Sequence, residues 1–428
     1  MAIHNGSLSS SARPMELDAS KLKVTLTSNP KTISKDIMFG QTTTDHMFVA
    51  NYDPVNGWSV PEIKPYERLS LDPTTSCLHY ATSVFEGMKA YRGPDGKPRI
   101  FRPIKNMHRL VNSAERVALP AFDPEALLKC LIRLVAIDER WIPNLPEHCV
   151  YIRPFMIGTR EALGVLPSEE AMLLIIMSPA GPIFKPSPTA PTPSFLGVNL
   201  LAVTQFTRAW PGGTGAHKVA GNYAPGFQPQ KTAKAAGYDQ ILYLLEDTTI
   251  TPGKREYKVT EAGVMNFFVV LRRDDGDLDL VTPTLDGTIL PGITRLSVLE
   301  LANAHTRSPL DGVNHSTKIH THERTITLSD LTSWHRDGRL LEVLVVGTAI
   351  VIAPVGRIGV QRVDENVTPN GLAPMAENGE ASSKEHVLVM PSYPETAGLG
   401  PVGMGLKTRL VDIQEGRVEW EDWCVVCQ

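Results

Sequence analysis

The 428-residue chain lacks any long apolar segment, any large excess of one charge and any regular set of cysteines. No apolar run approaches the roughly 20 residues that a helix needs to cross a bilayer, which argues against an integral membrane protein. The formal net charge is only −4. The sequence therefore shows no basic excess of the kind that binds nucleic acid or anionic lipid. Five scattered cysteines, an odd number, favour a reducing compartment over a disulfide framework.

Metal-binding and targeting signals are also missing. Cys424 and Cys427 form a C-x-x-C pair, but no second cysteine pair or histidine cluster accompanies it, so no metal site is predicted. Residues 1–20 are rich in serine, carry both charge signs and contain no apolar core, which argues against a secretory signal. A mitochondrial presequence is normally richer in arginine and poorer in acid. Cytosol is therefore the first expectation for location and the mitochondrion the second.

Length and composition favour two domains of an α/β protein. At 428 residues the chain exceeds one ordinary core. We predict a flexible N-terminal tail over 1–35, a small α+β domain over 36–180 that contains one strand at 84–92, and a proline-rich interdomain connection over 181–200. The larger, β-rich α/β domain is expected to span 201–428, with a surface insertion near 366–403.

Lys218 is the first candidate for chemistry. It lies in the run Gly-Gly-Thr-Gly-Ala-His-Lys-Val-Ala-Gly-Asn-Tyr-Ala-Pro, which begins at Gly212 and places Tyr223 five residues after the lysine. Small residues let backbone approach an amine closely, and a desolvated amine is a nucleophile that can react with a carbonyl. Taken alone, the segment suits a solvated lysine in a glycine-rich surface loop equally well.

Three later segments match the other needs of a pyridoxal phosphate enzyme, which are a partner for the ring nitrogen and donors for the phosphate. Glu261 is expected directly before an apolar strand, where a carboxylate could face a ring nitrogen. Leu290-Pro291-Gly292-Ile293-Thr294 opens a helical pattern, and a helix start binds anions. Gly347-Thr348-Ala349 separates two strand-like runs. Each alone has an ordinary alternative: a surface glutamate, a helix cap and a tight turn.

Several further motifs occur in one order along the chain. They are Phe39-Gly40, Thr44-Asp45-His46-Met47, Leu78-His79-Tyr80, Val84-Phe85-Glu86-Gly87-Met88-Lys89-Ala90-Tyr91-Arg92, Asn106-Met107-His108-Arg109-Leu110 and Tyr151-Ile152-Arg153-Pro154. Together with the four segments above, they resemble the branched-chain-amino-acid aminotransferases, which are class IV, fold-type IV pyridoxal phosphate enzymes. The resemblance extends from about residue 39 to residue 423. It implies an α/β fold of fold type IV with the cofactor at the domain interface.

The resemblance also implies roles for single residues. Lys218 is the amine that binds the cofactor aldehyde and moves the substrate Cα proton. Tyr223 binds the 3′ oxygen of the cofactor and Glu261 its ring nitrogen. The phosphate is assigned to Arg109, the Ile293 backbone, Thr294 and Thr348. The substrate α-carboxylate is assigned to the backbone of Thr348 and Ala349 and the hydroxyl of Tyr151, the glutamate side-chain carboxylate to Arg153, and the apolar pocket to Phe39, Tyr80 and Phe85.

The activity implied is reversible, ping-pong amino transfer between leucine, isoleucine or valine and 2-oxoglutarate, by a homodimer in which Tyr80 reaches across the interface. Alternatives are another fold-type IV transaminase acting on D-amino acids or amines, and a non-catalytic relative. Two departures from the family pattern stand out. Val264 replaces a hydroxyl residue found in many eukaryotic members, and no Cys-x-x-Cys pair follows Gly347, so redox control at that point is not expected.

Overall fold

The computed structural model describes residues 15–33, 39–181, 197–247, 249, 256–360 and 386–428, which form two sheets. The first sheet is built mainly from the N-terminal part of the chain. Its strands there are β1 (Lys23–Val24), β2 (His46–Asp53), β3 (Gly57–Trp58), β4 (Glu62–Pro65), β5 (Ser83–Phe85), β6 (Met88–Arg92), β7 (Pro98–Phe101), β8 (Cys149–Gly158) and β9 (Ala171–Ala180). Its helices are α1 (Ser76–Tyr80), α2 (Pro103–Arg116) and α3 (Pro124–Ile137).

Helices α2 and α3 cover this sheet because each has an apolar stripe at helical spacing. The stripe of α2 includes the buried residues Met107, Leu110 and Ala114, which share one core with Leu127 and Leu131 of α3. Proline at the first turn starts both helices. The predicted cap of α3 is confirmed, since the Asp123 side chain accepts the backbone N–H of Glu125 at 2.9 Å.

The second sheet comprises β10 (Val198–Val203), β11 (Gln240–Asp247), β12 (Glu256–Ala262), β13 (Met265–Arg272), β14 (Leu278–Thr282), β15 (Ile319–Glu323), β16 (Leu340–Gly347), β17 (Val351–Val360) and β18 (His386–Val389). Its helices are α4 (Phe227–Ala235), α5 (Ile293–Asn303), α6 (Leu328–Arg336) and α7 (Pro401–Gln414). The strand order β12-β11-β10-β17-β16-β13, with β13 also paired to β12, closes a six-stranded ring.

Alternate residues of the ring strands point into two different cores. Phe267, Val269 and Leu271 of β13 belong to one cluster with side chains from the other ring strands, whereas Phe268 and Val270 pack in another with α5 and α7. Because both faces of β13 are covered, its residues 267–271 are all buried. This double burial is why the sequence shows a continuous apolar run there rather than an alternating one.

Three sequence expectations need correction. Residues 15–33 of the expected tail are ordered, because Leu17 is buried in the first core and β1 pairs with β4. The expected strand at 84–92 is two strands, β5 and β6, interrupted at Glu86-Gly87. Part of the expected insertion near 366–403 belongs to the second sheet, because β18 pairs with β17 and buries Leu388. Residues 1–14, 182–196 of the proline-rich connection and 361–385 lie outside the described residues.

The end of the chain returns to the first sheet. The last strand, β19 (Cys424–Val426), pairs antiparallel with β7. The division into 36–180 and 201–428 stays a prediction, but its second part contributes this strand to the sheet of the first. Within the described ranges, no helix combines the length and apolar character required to cross a lipid bilayer.

Candidate active site

Lys218 lies half-buried where the two sheets meet. Its backbone carbonyl accepts the N–H of Phe85 in β5 at 3.1 Å, and its own N–H donates to the Ser113 hydroxyl of α2 at 2.9 Å. The amine Nζ donates to the Tyr223 hydroxyl at 2.9 Å and lies 4.7 Å from the centre of the Phe85 ring. The glycine-rich segment is itself fixed by Asn222, whose amide donates to the carbonyls of Thr214 and His217. The loop therefore fixes the backbone around one half-buried amine.

The surroundings change the acidity of both groups in this pair. Burial, and to a lesser extent the charge of Arg109, lowers the pKa of Lys218 from 10.5 to about 8. Burial, helped by the charge of Glu261, raises the pKa of Tyr223 to about 12. At neutral pH the phenol is thus protonated, and an appreciable fraction of the amine is neutral and nucleophilic.

The lowered pKa of Lys218 predicts how cofactor capture depends on pH. We expect the rate of covalent attachment of pyridoxal phosphate to the cofactor-free protein to rise with pH and to level off above about 8, because only the neutral amine attacks a carbonyl. Stopped-flow absorbance between pH 6 and 10 measures this rate. Lys231, exposed on α4, offers a control: Lys231→Ala leaves the profile unchanged. A rate that keeps rising through pH 10 contradicts the assignment.

Glu261 precedes the apolar strand β13, as expected from sequence, but it lies within β12 and is separated from β13 by a turn. It pairs with Asn266 of β13 across a tight turn through Gly263, whose φ of +61° suits glycine. Its side chain is buried. Oε1 accepts the backbone N–H of Leu290 at 2.8 Å and the amide of Asn266 at 3.3 Å. Oε2 lies 2.6 Å from Nε of Arg208 and has no hydrogen-bond partner among the described residues.

Arg109 of α2 is held by a carboxylate that the sequence did not single out as a site residue. Its Nε and Nη2 donate to the two oxygens of the buried Glu86 at 2.7 and 2.8 Å, and Nη1 donates to the Pro291 carbonyl at 3.0 Å. Glu86 occupies the interruption between β5 and β6, where it turns inward. A guanidinium carries five N–H groups, so two remain for a phosphate beside the start of α5.

The start of α5 is shaped for an anion. Gly292 is its N-cap and supplies no capping side chain, which leaves the first amides, including those of Ile293 and Thr294, without a side-chain partner. A Cβ at Gly292 would lie 2.0 Å from Oδ1 of Asn266. Asn266 in turn donates to the Leu290 carbonyl at 3.0 Å. Glycine is therefore required where this loop passes β13.

Gly292→Ala is expected to disturb this end of the site, because the added methyl must displace Asn266 and with it the loop that leads into α5. We expect the free energy of unfolding to fall by about 1–3 kcal/mol, the usual cost of forcing a methyl into a packed site. Affinity for pyridoxal phosphate should fall as well. Denaturant unfolding and equilibrium dialysis measure the two effects.

Thr348 and Ala349 form the turn between β16 and β17. The turn is anchored from the first sheet, because Nζ of Lys89 in β6 donates to the Ala349 carbonyl at 2.7 Å. Val351, which follows the turn, has a φ of +60°, a strained value for a β-branched residue of the kind that collects at functional sites. The hydrogen bond from Lys89 fixes the turn. The binding of phosphate or substrate by this turn stays a prediction.

Aromatic rings and an arginine form the wall beside Lys218. Arg153 of β8 lies with its Cζ 4.7 Å from the centre of the Phe85 ring and 5.3 Å from that of Tyr151. Phe39 packs edge-on against Tyr151, with ring centres 5.1 Å apart. Nη2 of Arg153 donates weakly to the Tyr151 hydroxyl at 3.3 Å, whereas its buried Nε has no hydrogen-bond partner among the described residues.

Tyr80 is not brought into this wall by its contacts within the chain. It ends α1, is 39% exposed, and its hydroxyl donates to the Leu163 carbonyl. Four further residues that shape the site were not predicted from the sequence: Glu86, Lys89, Ser113 and Arg208. Glu86 and Lys89 lie in the family motif of residues 84–92, which could have indicated them. No motif in the sequence pointed to Ser113 or Arg208.

The residues present fit pyridoxal phosphate. The strongest sign is Oε2 of Glu261, a buried carboxylate oxygen with unused hydrogen-bonding capacity, which suits the protonated ring nitrogen of this cofactor. Lys218 and Tyr223 match its aldehyde and 3′ oxygen. The N-terminus of α5, with the remaining donors of Arg109, matches its phosphate. Elsewhere in the described ranges, no group of three or more His, Cys, Asp or Glu side chains could hold a metal ion.

Comparison with known proteins identifies the family of this chain. Residues 83–358 match the family model described as amino-transferase class IV. The mitochondrial branched-chain-amino-acid aminotransferase of Schizosaccharomyces pombe is 37% identical over 96% of this chain and 86% of its own length. The cytosolic enzyme of the same name from Saccharomyces cerevisiae is 42% identical over 80% of this chain and 86% of its own. The cytosolic enzyme of this name from Mus musculus is 38% identical over 92% of this chain and 91% of its own length.

Solved structures confirm the expected α/β fold. The branched-chain aminotransferase of Thermoproteus uzoniensis, solved with norvaline, superposes with a TM-score of 0.61 at 22% identity over 90% of this chain and all of its own. The branched-chain amino acid aminotransferase of Thermobaculum terrenum, solved in its PLP form, gives 0.61 at 19% identity over 91% of this chain and all of its own. By sequence relationship and by fold, the chain belongs to the branched-chain-amino-acid aminotransferases of amino-transferase class IV.

Proposed function

We propose that this protein catalyses reversible transfer of an amino group between leucine, isoleucine or valine and 2-oxoglutarate, with pyridoxal phosphate as cofactor. The products are the branched 2-oxo acids and L-glutamate. The observation that carries the proposal is the wall beside Lys218, in which the guanidinium of Arg153 lies among Phe85, Tyr151 and Phe39. An apolar substrate side chain can pack against the aromatic rings of this wall. The carboxylate side chain of glutamate can instead pair with the guanidinium of Arg153.

The residues divide the work of the reaction. When bound, pyridoxal phosphate supplies the electron sink that stabilises the charge left on the substrate Cα after its proton departs. Nζ of Lys218 removes that proton, which its lowered pKa allows near neutral pH. Tyr223 keeps the amine oriented through a 2.9 Å hydrogen bond. Glu261, buried and paired with Arg208, presents a carboxylate toward the ring nitrogen.

The phosphate of the cofactor and the α-carboxylate of the substrate are bound by different groups. Arg109 and the amides at the start of α5 bind the phosphate. The amides of the turn at Thr348 and Ala349, with the Tyr151 hydroxyl, bind the substrate α-carboxylate. Gly87 makes room for that hydroxyl, since a Cβ there would lie 1.9 Å from the Tyr151 oxygen.

A substrate panel tests the proposed function. The protein is loaded with cofactor, and the first half-reaction is followed by absorbance with L-leucine, L-isoleucine, L-valine, L-glutamate, D-alanine and an aryl amine. We expect fast spectral changes with the three branched amino acids and with glutamate, and slow or no change with the last two compounds. A preference for D-alanine or the amine contradicts the proposal and favours another fold-type IV transaminase. No change with any compound indicates a non-catalytic relative.

Arg153→Met is expected to separate the two substrate classes. The guanidinium lacks an acidic partner in the described residues, so its charge is available for the side-chain carboxylate of glutamate or 2-oxoglutarate. Loss of that charge should lower kcat/KM for 2-oxoglutarate by about 10²-fold or more, whereas the half-reaction with leucine changes far less. Stopped-flow half-reactions measure both. Arg133→Met, on the exposed side of α3, is the control. Equal losses for both substrates contradict the assignment.

We propose that the protein works as a homodimer. Apolar side chains around Tyr80 support this, because Leu78, Leu163, Val165 and Leu166 are all more than half exposed in the single chain. Sedimentation velocity tests it, and a mass equal to one chain at micromolar concentration contradicts it.

We also propose a cytosolic location, although the relatives include proteins named mitochondrial as well as cytosolic. Imaging of the tagged full chain tests this, and colocalisation with a mitochondrial marker contradicts it.

A further inference from the structure

Arg208 is the cation nearest to the buried carboxylate of the site. Its Nε lies 2.6 Å from Oε2 of Glu261, and both side chains are at least nine-tenths buried. The contact satisfies the distance of an ion pair but not the angle of a hydrogen bond, since the Nε–H bond does not point at that oxygen. Arg208 thus supplies charge to Glu261 and leaves the lone pairs of Oε2 unused.

The guanidinium is fixed by two other loops of the site. Its Nη1 donates to the Thr288 carbonyl at 2.9 Å, and both terminal nitrogens lie 3.5 Å from the Gly215 carbonyl. Gly215 approaches so closely that a Cβ there would meet the Thr288 carbonyl oxygen at 2.6 Å. Arg208 therefore cannot turn to donate to Oε2 without giving up contacts to the Lys218 loop and to the loop before α5.

Glu261 needs a nearby positive charge because burial works against its ionised form. Desolvation raises the pKa of the carboxyl above its usual value. The charge of Arg208 is the largest opposing influence, ahead of the Leu290 amide and of Lys218 and Arg109. Asn266, the remaining polar contact of this carboxylate, is neutral and donates to Oε1.

We propose that Arg208 is a positioning residue for the amino-transfer reaction, which keeps Glu261 ionised by charge alone and so leaves Oε2 free to accept the protonated ring nitrogen of pyridoxal phosphate. The inference rests on the proposed function, since it concerns the same cofactor. Because the Nε–H bond is not aligned with Oε2, both lone pairs of that oxygen stay available to the cofactor while the arginine charge acts on the same carboxylate.

The test uses the full chain loaded with pyridoxal phosphate that carries ¹⁵N in its ring. The ¹⁵N resonance separates a protonated from an unprotonated ring nitrogen. We expect the protonated value in the wild type and in Arg208→Lys, which keeps the charge but not the planar donors for Thr288 and Gly215. In Arg208→Gln we expect a shift most of the way to the unprotonated value, together with a fall in kcat of about tenfold or more.

Two comparisons make the result decisive. Arg116→Gln removes an arginine that donates to the Gly212 and Gly213 carbonyls of the same loop but does not contact Glu261, and it should keep the protonated resonance. An unprotonated ring nitrogen in Arg208→Lys overturns the proposal, because a retained positive charge would then not be enough and the role of Arg208 would be purely structural. This comparison remains decisive even if Arg208→Gln fails to fold. A protonated nitrogen in folded Arg208→Gln overturns it too. Failure of the wild type to bind the cofactor at Lys218 refutes the proposed function instead.

Discussion

Lys218→Ala will lower kcat for leucine and 2-oxoglutarate by about 10⁴-fold, because it removes the amine that donates to Tyr223 and with it the group that moves the Cα proton. The Phe85 and Tyr223 rings, Arg109 and the start of α5 do not depend on this side chain for their contacts with one another. We therefore expect the variant to fold and to retain non-covalent affinity for pyridoxal phosphate. Steady-state kinetics and equilibrium dialysis measure the two properties.

The matched control for this variant is Lys231→Ala, which removes an exposed lysine of α4 close in sequence to the site. It should retain wild-type kcat. Addition of a small primary amine to Lys218→Ala should recover a little turnover, since a free base can partly replace a missing one. Turnover of Lys218→Ala within tenfold of wild type, with the cofactor bound, contradicts the assigned role.

Glu261→Gln has the second largest expected effect. The amide keeps the size of the side chain but replaces one carboxylate oxygen by a donor, which then faces Nε of Arg208 or the ring nitrogen, both of them donors as well. The ring nitrogen loses its anionic partner, so the charge that develops at Cα is less well stabilised. We expect kcat for the leucine half-reaction to fall by about 10²–10³-fold, the cost of losing one preorganised electrostatic contact.

Stopped-flow absorbance with L-leucine measures this loss under single-turnover conditions. Glu125→Gln, in the exposed first turn of α3, removes the same charge far from the ring nitrogen and should leave the rate unchanged. A Glu261→Gln rate within threefold of wild type shows that the carboxylate does not support the ring, and it would remove the basis for the role given to Arg208.

The sequence predicted the helices and strands best where a single periodicity applied. The stripe on α2 and the proline and aspartate that begin α3 identified both helices. The apolar run of β13 was recognised, but its two-sided burial depends on the ring of strands and could not be read locally. The strand at 84–92 was expected to be continuous, because nothing in the run itself shows that Glu86 turns inward to meet Arg109.

The candidate site divides in the same way. Lys218 and Tyr223 are five residues apart, so one loop brings them together and their hydrogen bond could be anticipated. Arg153 and Phe85 also meet near this amine, as the motifs suggested. Arg208 could not be identified from sequence, because its role depends on a contact with Glu261, more than fifty residues later in the chain. Within one chain the Tyr80 hydroxyl donates to Leu163 rather than to any of these groups, so its expected role depends on a second subunit.

Borohydride reduction of the cofactor-loaded protein, followed by digestion and mass spectrometry, tests the central claim most directly. The reagent fixes pyridoxal phosphate to whichever amine holds it. A phosphopyridoxyl mass on the peptide that contains Lys218, lost in Lys218→Ala and unchanged in Lys231→Ala, is the predicted result. The same mass on another lysine, or on none, would contradict the account.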